Sequence, residues 1–369
     1  MFDSKKELSK LLAQKNWTQD EVFTPDNLKQ VARESLYTFE EWMLIVKHAK
    51  PEESVPIMNT YAMHVNKLHD VRDAFEYASV HEQMNVLEQL LDKHRADDLL
   101  TEWILVYRLI FKNLSNYYTL QEILEKAKNL YGEINNPLAR MRLEIVELTT
   151  YYKLGSVRNA LFMADKFKNS FSTIKPGYMK SALASRVSLL IGLGKLYGEG
   201  DREGAENYLF AVNVNDTTPD TVRASSYHAL SNTKLIGNKK MCLDYTKKAI
   251  KFARQAGLVE YEQALEKEQI PFIKNLYGEI FDLPINTPEK EQIHQHIVRN
   301  EIEHAKKLIE KLENEGNDNL FLLYYKGKAT KDLNLLIQAL SHFSIFGRAD
   351  MVPVVQRDII SLKKKGDFF

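Results

Sequence analysis

Apolar residues in this chain recur at spacings of three and four almost without interruption, and that periodicity admits one class of fold. Between Thr38 and His48, Phe39, Trp42, Met43 and Val46 share one face while Glu40, Glu41 and Lys47 lie on others, the pattern of an amphipathic helix. Three segments, Thr24-Pro25-Asp26, Thr218-Pro219-Asp220 and Thr287-Pro288-Glu289, put a hydroxyl at the N-cap, proline in the first turn and a carboxylate beside it. Thr18 to Glu21 and Thr38 to Glu41 have the spacing of capping boxes. No Asn-Gly, Asp-Gly or Gly-Gly pair occurs, and glycine and proline together number 25 of 369 residues, where average usage of about 12 % predicts about 44. Tight hairpins are therefore scarce, and the expected fold is all-α.

The first 50 residues differ from the remainder. Short helices are predicted at about Ser4–Gln14, Thr18–Phe23 and Pro25–Glu34, followed by Phe39–Ala49. Such helices, separated by turns of three to four residues, meet the requirements of a helix-turn-helix head, and equally those of a plain helical cap. From residue 51 to residue 369 the chain reads as helical hairpins. Gly155 is followed five residues on by Ala160, Gly200 by Ala205, Gly237 by Cys242, and Asn300 by Ala305. Each pair couples a residue tolerant of positive φ at a helix end with a small residue one turn into the next helix. The Gly155–Gly200 and Gly200–Gly237 spacings exceed the 34 residues of an ideal tetratricopeptide repeat, so a degenerate α-solenoid is expected.

Catalytic signatures are lacking. Gly192, Gly194, Gly198 and Gly200 follow no strand and read as helix-end glycines, and Gly327-Lys328 lacks the glycine five residues earlier that a phosphate loop needs, so it reads as a turn. His294 and His296 are two apart, point to different faces of a helix, and read as exposed residues without a metal. No cofactor and no enzymatic activity are expected. The 50 basic and 50 acidic residues balance, so any nucleic-acid surface must be local. The single cysteine fits a reducing compartment, and no apolar run is long enough to cross a bilayer; a cytoplasmic protein with no membrane partner is expected.

Two candidate binding surfaces remain. The third helix of the head carries Asn27, Lys29, Gln30 and Arg33, side chains suited to base edges and phosphates, although residues 1–33 hold a net charge of only +1. Weak charge of this kind calls for two copies on two half-sites of double-stranded operator DNA. Helices Tyr178–Tyr197 and Pro219–Ile236 carry Arg186, Arg223, Tyr227, Ser231 and Asn232 among apolar neighbours. An arginine can clamp a carboxylate with two parallel hydrogen bonds, and hydroxyls and amides can satisfy an extended peptide.

A DNA-binding helical head on a degenerate repeat array resembles the RRNPP peptide-sensing regulators of Gram-positive bacteria, and within them the arbitrium peptide receptors, AimR, of temperate Bacillus-type phages. The likeness is clearest from Leu8 to Pro51, in Ile297-Val298-Arg299-Asn300 through Ala305, Leu308, Ile309 and Leu312, and in Phe321 to Gly327 with His342-Phe343 after it. It implies a short signalling peptide bound by the solenoid, Arg223 receiving the peptide carboxylate, Ser231 at a polar groove position, and Tyr324 and Lys328 among the contacts. The family's groove asparagine on the preceding helix is missing, Gly194 and Lys195 standing in that region. The resemblance also implies a homodimer through the last repeats, with Val352, Val355 and Ile359 on an apolar final helix, and peptide control of the choice between lysis and lysogeny. A Rap-type scaffold, whose head contacts a protein under peptide control, is the alternative.

Overall fold

The computed structural model describes residues 3–18, 24–317 and 319–366, and among them every regular element is a helix. The helices Ser4–Lys15, Pro25–Glu34 and Phe39–Ala49 form at the predicted places. The expected helix Thr18–Phe23, with its capping box, falls largely on residues 19–23, outside the described residues. Thr24 caps Pro25–Glu34 by accepting from the Asn27 amide (3.4 Å). Thr38 and Glu41 close a reciprocal capping box, the Glu41 carboxylate accepting from the Thr38 amide at 2.9 Å.

The chain divides into two compact units. The first runs to Thr150 and takes in Asn169–Ala184; the second comprises Tyr151–Lys168 and everything from Ser185. In the first, Phe39, Trp42, Tyr61, Tyr77 and Tyr178 are fully buried, with the Phe39 ring 5.7 Å from Tyr61 and 4.9 Å from Tyr178. The Phe39 amide donates to the buried Asp70 carboxylate (2.9 Å), so residues 1–50 share a core with the helices that follow them. Deeper in that unit Arg142 Nε donates to Glu76 Oε2 at 2.6 Å and the Tyr107 hydroxyl to the same oxygen at 2.7 Å, a buried charge pair reinforced by a phenol.

The second unit is a succession of hairpins: Arg202–Val214 with Asp220–Thr233, Asp220–Thr233 with Lys239–Gln255, Glu289–Val298 with Ile302–Asn314, and Leu320–Thr330 with Leu333–Ile345. Gly155, Gly200, Gly237 and Asn300 all have positive φ (79°, 72°, 96° and 62°), and Ala160, Ala205, Cys242 and Ala305 are buried at the helix contacts, as the sequence spacing implies.

Three local expectations are corrected. Asp220–Thr233 and Glu289–Val298 begin one residue later than expected, with Pro219 and Pro288 at the N-cap and no side-chain cap. The threonine hydroxyls turn elsewhere: Thr218 donates to the Val212 carbonyl and accepts from Ser185, and Thr287 donates to the Pro284 carbonyl. Gly192, Gly194, Gly198 and Gly327, expected at helix ends or in a turn, lie within helices. A Cβ on Gly192 would meet Leu209 at 2.8 Å, one on Gly194 would meet Leu161 at 2.9 Å, and one on Gly327 would meet Leu336 at 3.0 Å. These glycines allow helices to touch backbone to side chain. His294, expected to be exposed, is fully buried between Phe272 and Tyr325, where burial holds its ring neutral.

Candidate functional site: a desolvated polar cluster in the second unit

Two π-helical segments, Gly194–Glu199 and Leu265–Gln269, interrupt the α-helical run of the second unit. Such bulges re-aim side chains, and here each delivers one polar group to a common centre. Tyr197 from the first and Gln269 from the second meet on Asn232 of Asp220–Thr233. Asn232 Nδ2 donates to the Tyr197 hydroxyl (2.9 Å), and Gln269 Nε2 donates to Asn232 Oδ1 (2.7 Å). One turn before Asn232, His228 Nδ1 lies 2.8 Å from the Tyr261 hydroxyl. Arg348 lies with its guanidinium 5.6 Å from the Tyr197 ring and grips Asp350 through two hydrogen bonds of 2.9 Å.

Asn232 and Asp350 are buried at the centre of this cluster, and Tyr197, His228, Tyr261, Gln269 and Arg348 are half-buried around them. Burial pushes the His228 ring down to about 4, so it is neutral at pH 7. Burial, followed by the Asp350 charge, pushes the Tyr197 hydroxyl up to about 12; burial and the Tyr197 oxygen raise both Tyr152 and Tyr261. Burial works against the Arg348 charge, but Asp350 outweighs it and keeps the guanidinium protonated. Neutral hydrogen-bonding groups beside one fixed ion pair suit recognition of a polar ligand and offer no nucleophile activated by a base.

Arg223 and Tyr227 occupy the same helix, Asp220–Thr233. Arg223 Nη2 donates to the Asn215 carbonyl (3.0 Å), Nη1 lies 3.6 Å from Asp220, and the guanidinium stands 5.7 Å from the Phe252 ring; its Nε–H is buried and unpartnered among the described residues. Tyr227 stacks on Phe252, with centroids 5.5 Å apart and planes within 1°. Arg223 thus keeps a free donor in a partly desolvated setting. Arg186 is half-buried on Tyr178–Leu193, next to Ser185, whose hydroxyl accepts from Asn215 at 2.7 Å.

The other expected contacts lie elsewhere. Ser231 is fully buried between helices, its hydroxyl donating to the Cys242 carbonyl and lying 2.9 Å from Thr246 Oγ1. One position along the helix, about 100° around it, Asn232 faces the cluster instead. Tyr324 is fully buried and donates to Asp358 at 2.6 Å, and Lys328 pairs with the same carboxylate at 3.1 Å, which fastens the last helix. Val355, expected on a dimer contact, is 0 % exposed and belongs to the core formed with Leu235, Tyr324, Phe343 and Val354, against which Ile359 also packs. Val352 is half-buried. The exposed apolar side chains near this end are Ile345, Phe346 and Ile360.

In the head, Leu28, Val31 and Ala32 turn inward, while Gln30 and Arg33 are exposed and Asn27 and Lys29 half-buried, so the expected DNA-binding side chains lie off the packed face of Pro25–Glu34. Among the described residues no group of histidine, cysteine and carboxylate side chains could hold a metal, and no helix is long and apolar enough to cross a membrane.

A family model described as AimR transcriptional regulator-like matches residues 54–347, most of the chain. The chain belongs to that family. Its fold is similar to that of the solved phAimR in selenomethionine form, with a TM-score of 0.73 at 17 % identity over 90 % of this chain and 86 % of the other. The structure of phAimR with ligand gives a TM-score of 0.68 at 17 % identity, over 88 % of this chain and 96 % of the other. A search of curated proteins finds no match. The family match and these likenesses agree on an all-helical AimR-type regulator.

Tyr197, His228, Tyr261, Gln269, Arg348 and Asp350 escape a reading of the sequence because they converge only through tertiary packing. His228 and Asn232, four apart on a helix already under suspicion, carried the one available signal.

Proposed function

We propose that this chain is a peptide-gated, DNA-binding transcription regulator, active as a homodimer in the host bacterial cytoplasm, that biases a temperate phage between lysis and lysogeny. The reading rests on family membership and on one observation: Arg223 keeps a buried N–H without a partner among the described residues, beside the stacked rings of Tyr227 and Phe252. A short extended peptide needs such an environment. Its terminal carboxylate takes a charge-assisted bond from Arg223 in competition with Asp220, beside the Tyr227–Phe252 stack on the same helix face. The head engages duplex DNA through Asn27, Lys29, Gln30 and Arg33. Two copies meet through the C-terminal region, where Ile345, Phe346 and Ile360 are exposed.

The test is calorimetry with short synthetic peptides, each with a free or an amidated C-terminus. Arg223→Ala is expected to weaken a bound peptide by about 2–4 kcal/mol, roughly 30- to 1000-fold, and amidation is expected to cost the native protein a similar amount and the variant little more. Additive losses would separate Arg223 from the carboxylate.

A further inference from the structure

A pocket lies in the first unit, outside everything used above. It has a volume of about 400 Å³ and is lined by Arg108, Leu109 and Lys112 from the helix Thr101–Leu114, by Tyr118, and by Lys126, Asn129 and Leu130 from the helix Leu120–Leu130. Its floor is apolar and its rim carries three cations. Arg108 and Lys112 are four apart on one helix face, a like-charge pair that works against the helix. None of the three cations has a carboxylate within ion-pair distance among the described residues, in a chain whose charges balance and where many other basic side chains are paired. Glu122, one turn before Lys126 on the same helix, accepts from the Thr119 amide (2.8 Å) and hydroxyl (2.9 Å).

Aromatic faces take the place of carboxylates. Lys112 Nζ stands 3.9 Å from the centroid of Tyr117, and Lys126 Nζ 4.5 Å from that of Tyr118. The turn between the helices enforces this: Asn116 has φ 53°, and the Tyr117 amide donates to the Lys112 carbonyl at 2.9 Å, which folds Tyr117 back over that lysine. Cation–π contacts orient ammonium groups without cancelling their charge. Tyr117 keeps 65 % of its surface exposed, and it meets Tyr118 edge to face at 5.0 Å.

We propose that this pocket binds a nucleotide unit, its phosphate held among Arg108, Lys112 and Lys126 and its base laid on the tyrosine and leucine surface. Positive charge beside open aromatic rings is the combination by which proteins hold single nucleotides and nucleic-acid strands alike. The chemistry is shared by a free nucleotide and by a nucleotide within a strand, and the experiment separates them.

Adenosine monophosphate and the oligonucleotide dT8 are titrated into the full chain by calorimetry, alongside adenosine and inorganic phosphate. Adenosine monophosphate is expected to bind at least tenfold more tightly than either adenosine or phosphate, and Lys112→Gln/Lys126→Gln is expected to weaken it at least tenfold with an unchanged melting temperature. Tyr118→Leu should weaken the nucleotide severalfold and leave inorganic phosphate unaffected. If dT8 binds a hundredfold more tightly than the mononucleotide and loses that affinity in the double variant, the occupant is a strand; equal affinity for the two assigns a free nucleotide. The proposal is overturned if neither probe binds, or if the double variant binds both as the native chain does.

Discussion

The exposed face of Pro25–Glu34 and the polar cluster around Asn232 are both built from polar side chains on helices, yet they hold those side chains in opposite states. On the first, Gln30 and Arg33 stand in solvent with only Leu28, Val31 and Ala32 anchored beneath them. In the second, Asn232 is almost wholly buried, both ends of its amide are engaged, and His228 beside it is held neutral. A solvated cation pays no desolvation cost and reads charge in a salt-dependent way, which suits phosphates. A desolvated amide is costly to leave unmatched, which suits discrimination between ligands of similar shape. The first placement suits long-range attraction, the second short-range selection.

The comparison breaks most visibly at Arg348. Removing its guanidinium strands the fully buried Asp350, so Arg348→Ala should cost about 3–5 kcal/mol of stability, read as a lower urea midpoint at unchanged slope. An effect below about 1 kcal/mol would show the cluster to be as wet as the head. A smaller effect is expected from pH. The folded-state value of His228, about 4, lies below its ordinary value of 6.5, so as pH falls the unfolded chain takes up the proton first. Stability from this group is complete above about pH 6.5 and is lost as pH falls towards 4, amounting to roughly 3 kcal/mol. His228→Gln should flatten that part of the profile; identical slopes for both proteins would place the ring in water. The smallest effect belongs to the head. Arg33→Ala should weaken duplex DNA about tenfold and reduce the salt slope by about 0.9, while melting temperature and peptide affinity stay unchanged. A native salt slope in the variant would remove Arg33 from the phosphate contacts.

What was legible in the sequence was what neighbours along the chain decide. Thr24 and Thr38 cap their helices because the amides they serve lie three residues away, and Gly155, Gly200, Gly237 and Asn300 turn the chain where the spacing places them. Thr218 and Thr287 carry the same local pattern, but nearby carbonyls compete for their hydroxyls, and the cap moves to the proline. Gly192, Gly194 and Gly327 resemble punctuation until the facing leucines are known. The site was half legible for the same reason. Arg223 and Tyr227, four apart, share a face of one helix and could be found by its period, whereas Ser231, one further turn on, faces the core and Asn232 lies on the opposite side from Arg223. Tyr197 and Gln269 reach the cluster through π-helical turns, and Arg348 arrives from more than a hundred residues further along the chain.

Coupling between the two regions is the central claim, and fluorescence anisotropy of a labelled duplex, taken from the DNA around the chain's own gene, measures it directly. The duplex is titrated with native protein, with and without a saturating peptide identified by calorimetry, and again with Arg223→Ala at the same peptide concentration. The account predicts that peptide shifts the DNA affinity of the native protein at least fivefold and leaves that of Arg223→Ala unchanged. DNA affinity that is the same with and without bound peptide in the native protein would contradict it.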